Sequence, residues 1–204
     1  MSSRAYTIRD IQDYTPETLC LDGPLRRAIG KPEITGSWII WGGSGNGKTR
    51  FALILARELA RHVKVAYDSL EEGLSMSMKE AVEQSGMAEV KRNFILLDKE
   101  NVATLRERLR RQRSPRVVII DSLQYTGLTY KDYATLKDEF RNKLFIYISH
   151  ADGKEPKGNV AKSVRFDANV KIYVQSYVAY PQSRYDGGEP YVVWAARAKE
   201  LGVI

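Results

Sequence analysis

A chain of 204 residues, 43% of them hydrophobic, is long enough to bury one substantial core, and a single domain is expected. Its 32 Lys and Arg against 25 Asp and Glu leave a formal net charge of +7, which favours a polyanion such as nucleic acid as partner over an acidic or membrane-inserted one. No apolar run is long enough to span a bilayer, and the polar start Met1-Ser2-Ser3-Arg4 lacks the apolar core of a secretory signal, so a cytoplasmic protein is expected. The lone Cys20 excludes an intramolecular disulfide and a multi-cysteine zinc site and reads as a small half-buried residue.

Residues 1–36 form a polar, turn-rich lead-in, punctuated by Asp22-Gly23-Pro24, Gly30-Lys31-Pro32 and Thr35-Gly36, with a short helix over Pro24–Ile29 that ends at Gly30. A buried strand over Ser37–Trp41 opens the core, which runs over 37–204. It leads straight into Gly42-Gly43-Ser44-Gly45-Asn46-Gly47-Lys48-Thr49, which matches the phosphate-binding loop G-x-x-x-x-G-K-[ST] at every fixed position. Glycines there let successive backbone N–H groups point inward at phosphate oxygens. Lys48 is the point charge for the β- and γ-phosphates of ATP, and the Thr49 hydroxyl is placed to ligate Mg²⁺. A helix over Phe51–Arg61 completes the strand, loop, helix order the motif requires.

Val63–Asp68 reads as the second strand, with Ser69-Leu70-Glu71-Glu72-Gly73 at its carboxyl end, where a carboxylate would face the γ-phosphate. A helix follows over Leu74–Gln84, its methionines core fillers, stopping by Gly86. Phe94–Asp98 is a third strand. Ala103–Gln112 is a helix with Leu105 and Leu109 as its buried stripe and a solvated basic face. Val117-Val118-Ile119-Ile120-Asp121 is a continuous apolar run ending in an acid, as a central parallel strand with a second metal-organising residue requires. A helix over Tyr133–Arg141, a buried strand over Leu144–Ser149 and a mobile basic loop over Ala151–Arg165, carrying Lys154, Lys157, Lys162 and Arg165, come next. Late strands are expected at Ala168–Val174, Tyr177–Tyr180 and Tyr191–Ala196, the last two joined by the turn Tyr185-Asp186-Gly187-Gly188. Alternating strands and helices predict an α/β fold: a mostly parallel central sheet with helices on both faces and antiparallel strands at the end.

Leu21-Asp22, the helix ending at Gly30, and Thr35-Gly36-Ser37 ahead of the loop strand resemble the entry to RecA-like P-loop ATPase cores. The likeness runs to about Lys199 and is nearest to the RadA/Sms and DnaB-type cores. In RadA/Sms the pattern Tyr67-x-x-x-Glu71-Glu72 implies that Glu71 polarises the attacking water, while Glu72 reads as favouring the next helix N-terminus. The same resemblance makes His150 a γ-phosphate sensor, with Lys154, Gly158 and Asp167 in matching places, and makes the basic loop a DNA-binding one. It also implies that Arg197 and Lys199, just after a strand, reach a neighbour's ATP in a homo-oligomeric ring or filament. The Lys-Asn-Arg-Phe-Gly motif, zinc finger and protease-like domain of RadA have no counterpart here, and the compact chain suits a phage or mobile-element accessory protein. The function implied is ATP hydrolysis on DNA in recombination, repair or replication; the rival is an ATP-gated recruitment protein with slow turnover. A small-molecule phosphotransferase, the third class, should carry an Arg-rich lid, and only the helical arginines offer one.

Overall fold

The runs Trp38–Trp41, Val117–Ile120 and Leu144–Ile148 are apolar without alternation, and the folded chain buries both sides of each. The computed structural model describes residues 5–204; Met1–Arg4, the polar start noted above, lie outside the described residues. In chain order the elements are α1 (Ile8–Gln12), α2 (Gly23–Ile29), β1 (Gly36–Gly42), α3 (Lys48–Ala60), β2 (Val65–Ser69), α4 (Met76–Gln84), β3 (Phe94–Asp98), α5 (Val102–Arg110) and β4 (Val117–Asp121). After these come α6 (Tyr130–Glu139), β5 (Leu144–Asp152), β6 (Glu155–Pro156), α7 (Asn159–Asp167), β7 (Val170–Gln175), β8 (Val178–Ser183), β9 (Tyr191–Val192) and α8 (Ala195–Glu200).

The strands form one sheet in the order β3-β2-β4-β5-β1-β7-β8-β9, with β6 paired to β5. From β3 to β7 every neighbouring pair is parallel; β8 and β9 are antiparallel. The period of two in each strand sorts its side chains onto two cores. Trp38, Ile40, Val117, Ile119 and Ile146 pack on the Phe51, Leu55 and Leu59 side of α3. Ile39, Val118, Ile120, Phe145 and Tyr147 pack with Leu105 and Leu109 of α5, Tyr133 and Leu136 of α6 and Val164 of α7. Each such side chain contributes about 1.5–3 kcal/mol on full burial. Leu19, Leu21, Leu25 and Ile29 from the lead-in join the α3 side of this core.

Because the strands run parallel, their carboxyl ends share one edge. The register sets Gly42 beside His150 and Ser69 beside Asp121. Residues 108 and 52 apart in sequence are thereby neighbours across the sheet.

Four local expectations are corrected. The segment 151–165 is a hairpin of β5 with β6 followed by α7, and it is tied down: the Trp41 indole donates to the Lys154 carbonyl at 3.0 Å, and Arg165 pairs with Glu155 while lying over the Trp41 ring. A buried aromatic with a polar N–H demands a partner, and the loop backbone supplies it. The strand expected over Tyr191–Ala196 stops at Val192, and α8 begins at Ala195 after an extended Trp194, so Arg197 and Lys199 sit on a helix. Cys20 is exposed, since Leu19 and Leu21 on either side of it turn inward. Met78 and Met87 fill the core, but Met76 is exposed in the first turn of α4.

Candidate active site

The loop after β1 takes the backbone path that its glycines allow. Gly45 and Gly47 have φ of +71° and +95°, and a Cβ at Gly42 would stand 2.1 Å from the Val174 carbonyl oxygen. Gly47 caps the thirteen-residue helix α3, whose first-turn N–H groups therefore open at the loop. Asn46 fastens the loop to the β7–β8 turn: its Oδ1 accepts from the Ser176 N–H at 2.7 Å, and its carbonyl accepts from the Tyr177 N–H at 3.1 Å. Ser176 and Tyr177 both have positive φ, so this two-residue turn has the twist a tight hairpin requires. The Tyr177 ring lies against Gly47, where an added Cβ would come within 2.8 Å of it.

Lys48 reaches back over the loop and donates to the Gly43 carbonyl at 2.9 Å. Desolvation lowers its pKa, against the upward pull of Asp121 and Glu71. Thr49 Oγ1 stands 3.5 Å from Asp121 Oδ2, the outer limit of a hydrogen bond. The same Oδ2 accepts from the Tyr67 hydroxyl at 2.5 Å. Burial drives the Asp121 pKa up to about 6; the Tyr67 hydrogen bond and Lys48 oppose the rise, and Glu71 adds to it. The Asp121–Ser122 peptide is cis.

Glu71 is held in place by backbone: the Leu70 and Glu71 N–H groups both donate to the Asp121 carbonyl, at 2.7 and 3.1 Å. Its carboxylate Oε2 lies 3.1 Å from His150 Nε2, joining the ends of β2 and β5 across β4. Glu72 turns away and accepts from Ser77 in the first turn of α4 at 2.8 Å. Asp68, at the carboxyl end of the same strand, faces the other core. There it accepts from the Glu100 N–H, and burial raises its pKa to about 7.

Lys48, Thr49, Asp121, Glu71 and His150 are thus brought together. Arg197 is not among them: it pairs with Glu200 on its own helix at 2.6 Å and lies beside Trp194, whose ring also carries the Arg50 guanidinium at 4.2 Å and meets Tyr177 edge-on. Lys199 is exposed on the same helix. Ser44 is exposed at the loop tip, its carbonyl accepting from the Asn46 side chain.

Sequence reasoning missed Tyr67, Gln124 and Tyr177. A tyrosine inside an apolar strand was a signal, because a buried hydroxyl has to find a partner and strand alternation aimed it at the α3 side. The stretch Ser122-Leu123-Gln124-Tyr125 reads in the sequence as the start of a loop, one that the resemblance to RecA-like ATPases brings near DNA, but nothing adjacent to Gln124 signals its partners. Its side chain accepts from the His150 N–H at 3.2 Å and donates to Ser149 Oγ at 2.9 Å and the Lys157 carbonyl at 2.8 Å, tying β4's exit to β5 and the β5–β6 hairpin.

Thr49 and Asp121 offer the hard oxygen pair that Mg²⁺ prefers. Among the described residues no group of three or more His, Cys, Asp and Glu forms a protein-only metal site.

No protein-family model and no curated protein matches the chain. Among solved structures it is similar to the flagellar accessory protein FlaH from Methanocaldococcus jannaschii, with a TM-score of 0.62 and 16% identity over 87% of this chain and 97% of that one. With the parallel sheet and its carboxyl-edge loop, that likeness makes the fold RecA-like.

Proposed function

We propose that this protein is a Mg²⁺-dependent ATPase that binds ATP in the loop 42–49 and hydrolyses it while acting on DNA in recombination, repair or replication. What carries the reading is the meeting of Lys48, Thr49 and Asp121 at the mouth of a glycine loop that opens a helix. Bound Mg²⁺, held by Thr49 and Asp121, would neutralise charge on the phosphates. The chain's own residues do the rest. The loop N–H groups and Lys48 stabilise charge on the departing phosphoryl oxygens. Glu71 takes the proton of the water that attacks the γ-phosphorus as the bond to ADP breaks, and His150, bonded to Glu71, registers the loss of the phosphate. Lys154, Lys157 and Lys162, exposed beside this edge, supply phosphate contacts to DNA. Arg197 and Lys199 complete the site of a neighbouring copy in a ring or filament.

The test is phosphate release with and without DNA over a range of protein concentration. Lys48→Ala should lower turnover about 100-fold or more. Mixing it with Arg197→Ala/Lys199→Ala should restore activity through hybrid sites. Undiminished turnover in folded Lys48→Ala sinks the ATPase. Absent rescue with a monomeric mass in ATP sinks the shared site, and slow turnover indifferent to DNA moves the reading to an ATP-gated recruitment protein.

A further inference from the structure

At the opposite edge of the sheet, the segments entering β2, β3 and β4 and the end of α5 enclose a cavity of about 230 Å³. Five of its lining side chains are cationic, Lys64, Arg92, Arg108, Arg111 and Arg113, and none is acidic. The contrast with nearby arginines is what makes the cavity informative. Arg106 and Arg110 both pair with Glu139, Arg116 with Glu17, and Arg61 with Glu58 and Glu89. Inside the cavity only Arg108 has such a partner, Glu100; among the described residues Lys64, Arg92, Arg111 and Arg113 have none. Lys64 donates instead to the Arg113 carbonyl at 3.4 Å, which concentrates positive charge further. Like charges gathered in a concavity with low-dielectric walls repel one another and focus a positive potential, an arrangement that an anion relieves.

We infer that this amino-edge cavity is a phosphate-binding site for a nucleic-acid strand. Guanidinium groups fork onto phosphate oxygens, and Asn93 and Gln112 in the lining add amide donors. The volume is below the roughly 300–1,000 Å³ of pockets that engulf a small ligand, so the cavity suits backbone phosphates of a strand laid across it. Ile95, exposed on the sheet's outermost strand β3, gives the same surface an apolar spot for a base. The site lies across the sheet from the lysines of the β5–β6 hairpin and α7, so it is a second contact face. It shares the DNA partner with the function proposed above and does not depend on ATP.

The experiment measures binding of a labelled mixed-sequence DNA single strand across a KCl series, for wild type, Arg92→Gln/Arg111→Gln/Arg113→Gln and Lys154→Ala/Lys157→Ala/Lys162→Ala. The three arginines are exposed, so a matching melting curve is expected; Arg111→Gln/Arg113→Gln is the milder variant should the triple unfold. Losing three phosphate contacts should weaken binding roughly ten-fold or more and flatten the log–log salt slope by about 2, at about 0.7 per contact for a single strand. Phosphate release without DNA should be unchanged in the arginine variant. Wild-type affinity and slope in that variant would overturn the site, as would a slope lost only in the lysine variant. Binding of tripolyphosphate by wild type, abolished in the arginine variant, with no strand bound at all, would make it a small-anion site and overturn the proposal as well. A wild type that binds DNA but hydrolyses no ATP would remove the ATPase and leave this site standing.

Discussion

The two edges of the sheet are built from the same strands yet organise charge in opposite ways. At the carboxyl edge, charges of both signs interlock: hydrogen bonds link Thr49 to Asp121, Asp121 to Glu71 and Glu71 to His150, with Tyr67 behind them, and Lys48 feels the carboxylates of Asp121 and Glu71 while bonded to the Gly43 carbonyl. At the amino edge, Lys64, Arg92, Arg111 and Arg113 surround a cavity with no carboxylate to answer them. A prearranged set of opposed charges suits chemistry, because donors and acceptors are already aimed where charge develops. An unanswered cluster of one sign suits capture of a polyanion. The difference teaches that net charge alone says little: what distinguishes the two edges is whether each cation has a carboxylate beside it.

The comparison breaks most sharply at Glu71. Glu71→Gln should retain ATP binding and lose about 10²- to 10⁴-fold in turnover, the range a positioned general base supplies. The same change at Glu72, which faces Ser77, should leave turnover within a few-fold of wild type. A reversed pattern in single-turnover assays would shift the catalytic register by one residue.

Tyr67→Phe tests whether the buried hydroxyl steadies Asp121 or merely fills space. Losing that hydrogen bond should weaken apparent Mg²⁺ affinity about 10- to 100-fold, as loss of a ligand's supporting partner does. The maximal rate at saturating Mg²⁺ should change much less. An Mg²⁺ titration of phosphate release decides it, and an unchanged midpoint would give Tyr67 a packing role only.

The smallest effect sharpens the boundary of the carboxyl edge. Asp68 ends beside the site in sequence but faces α5, and its folded pKa of about 7 lies above its ordinary value. A carboxyl with a raised folded pKa binds more protons folded than unfolded, so its contribution to stability falls as pH rises from about 4 to about 7. Asp68→Asn should therefore raise Tm at pH 8 by a few degrees, at roughly 2–4 °C per kcal/mol, and the gain should shrink as pH falls and vanish near pH 4. Turnover should not change. Equal Tm at both pH values would mean that the carboxylate is better solvated than its burial implies.

The glycine loop after β1, the apolar strands and the aspartate ending Val117–Asp121 were legible in the sequence, because each is a local demand. Glycine is needed where φ is positive and continuous apolarity where both faces are covered, and a polar residue is tolerated where a parallel strand reaches its open carboxyl end. The hairpin and helix over 151–165 were not legible. Lysines and glycines there looked like a solvated loop, and what orders them is a hydrogen bond from Trp41, more than a hundred residues earlier. Nor could the sequence reveal that the arginines between Arg106 and Arg116 divide into paired and unpaired sets: Glu139, Glu100 and Glu17 reach Arg106, Arg108, Arg110 and Arg116 from other segments, and among the described residues none reaches Arg111 or Arg113. By itself, then, the chain's sequence determined which groups its strands would carry to an edge, for strand period and turn chemistry are set by adjacent residues. Only the tertiary structure decided which of those groups meet, because parallel register makes Gly42 a neighbour of His150 and Ser69 a neighbour of Asp121, and through-space contact depends on that register rather than on sequence distance.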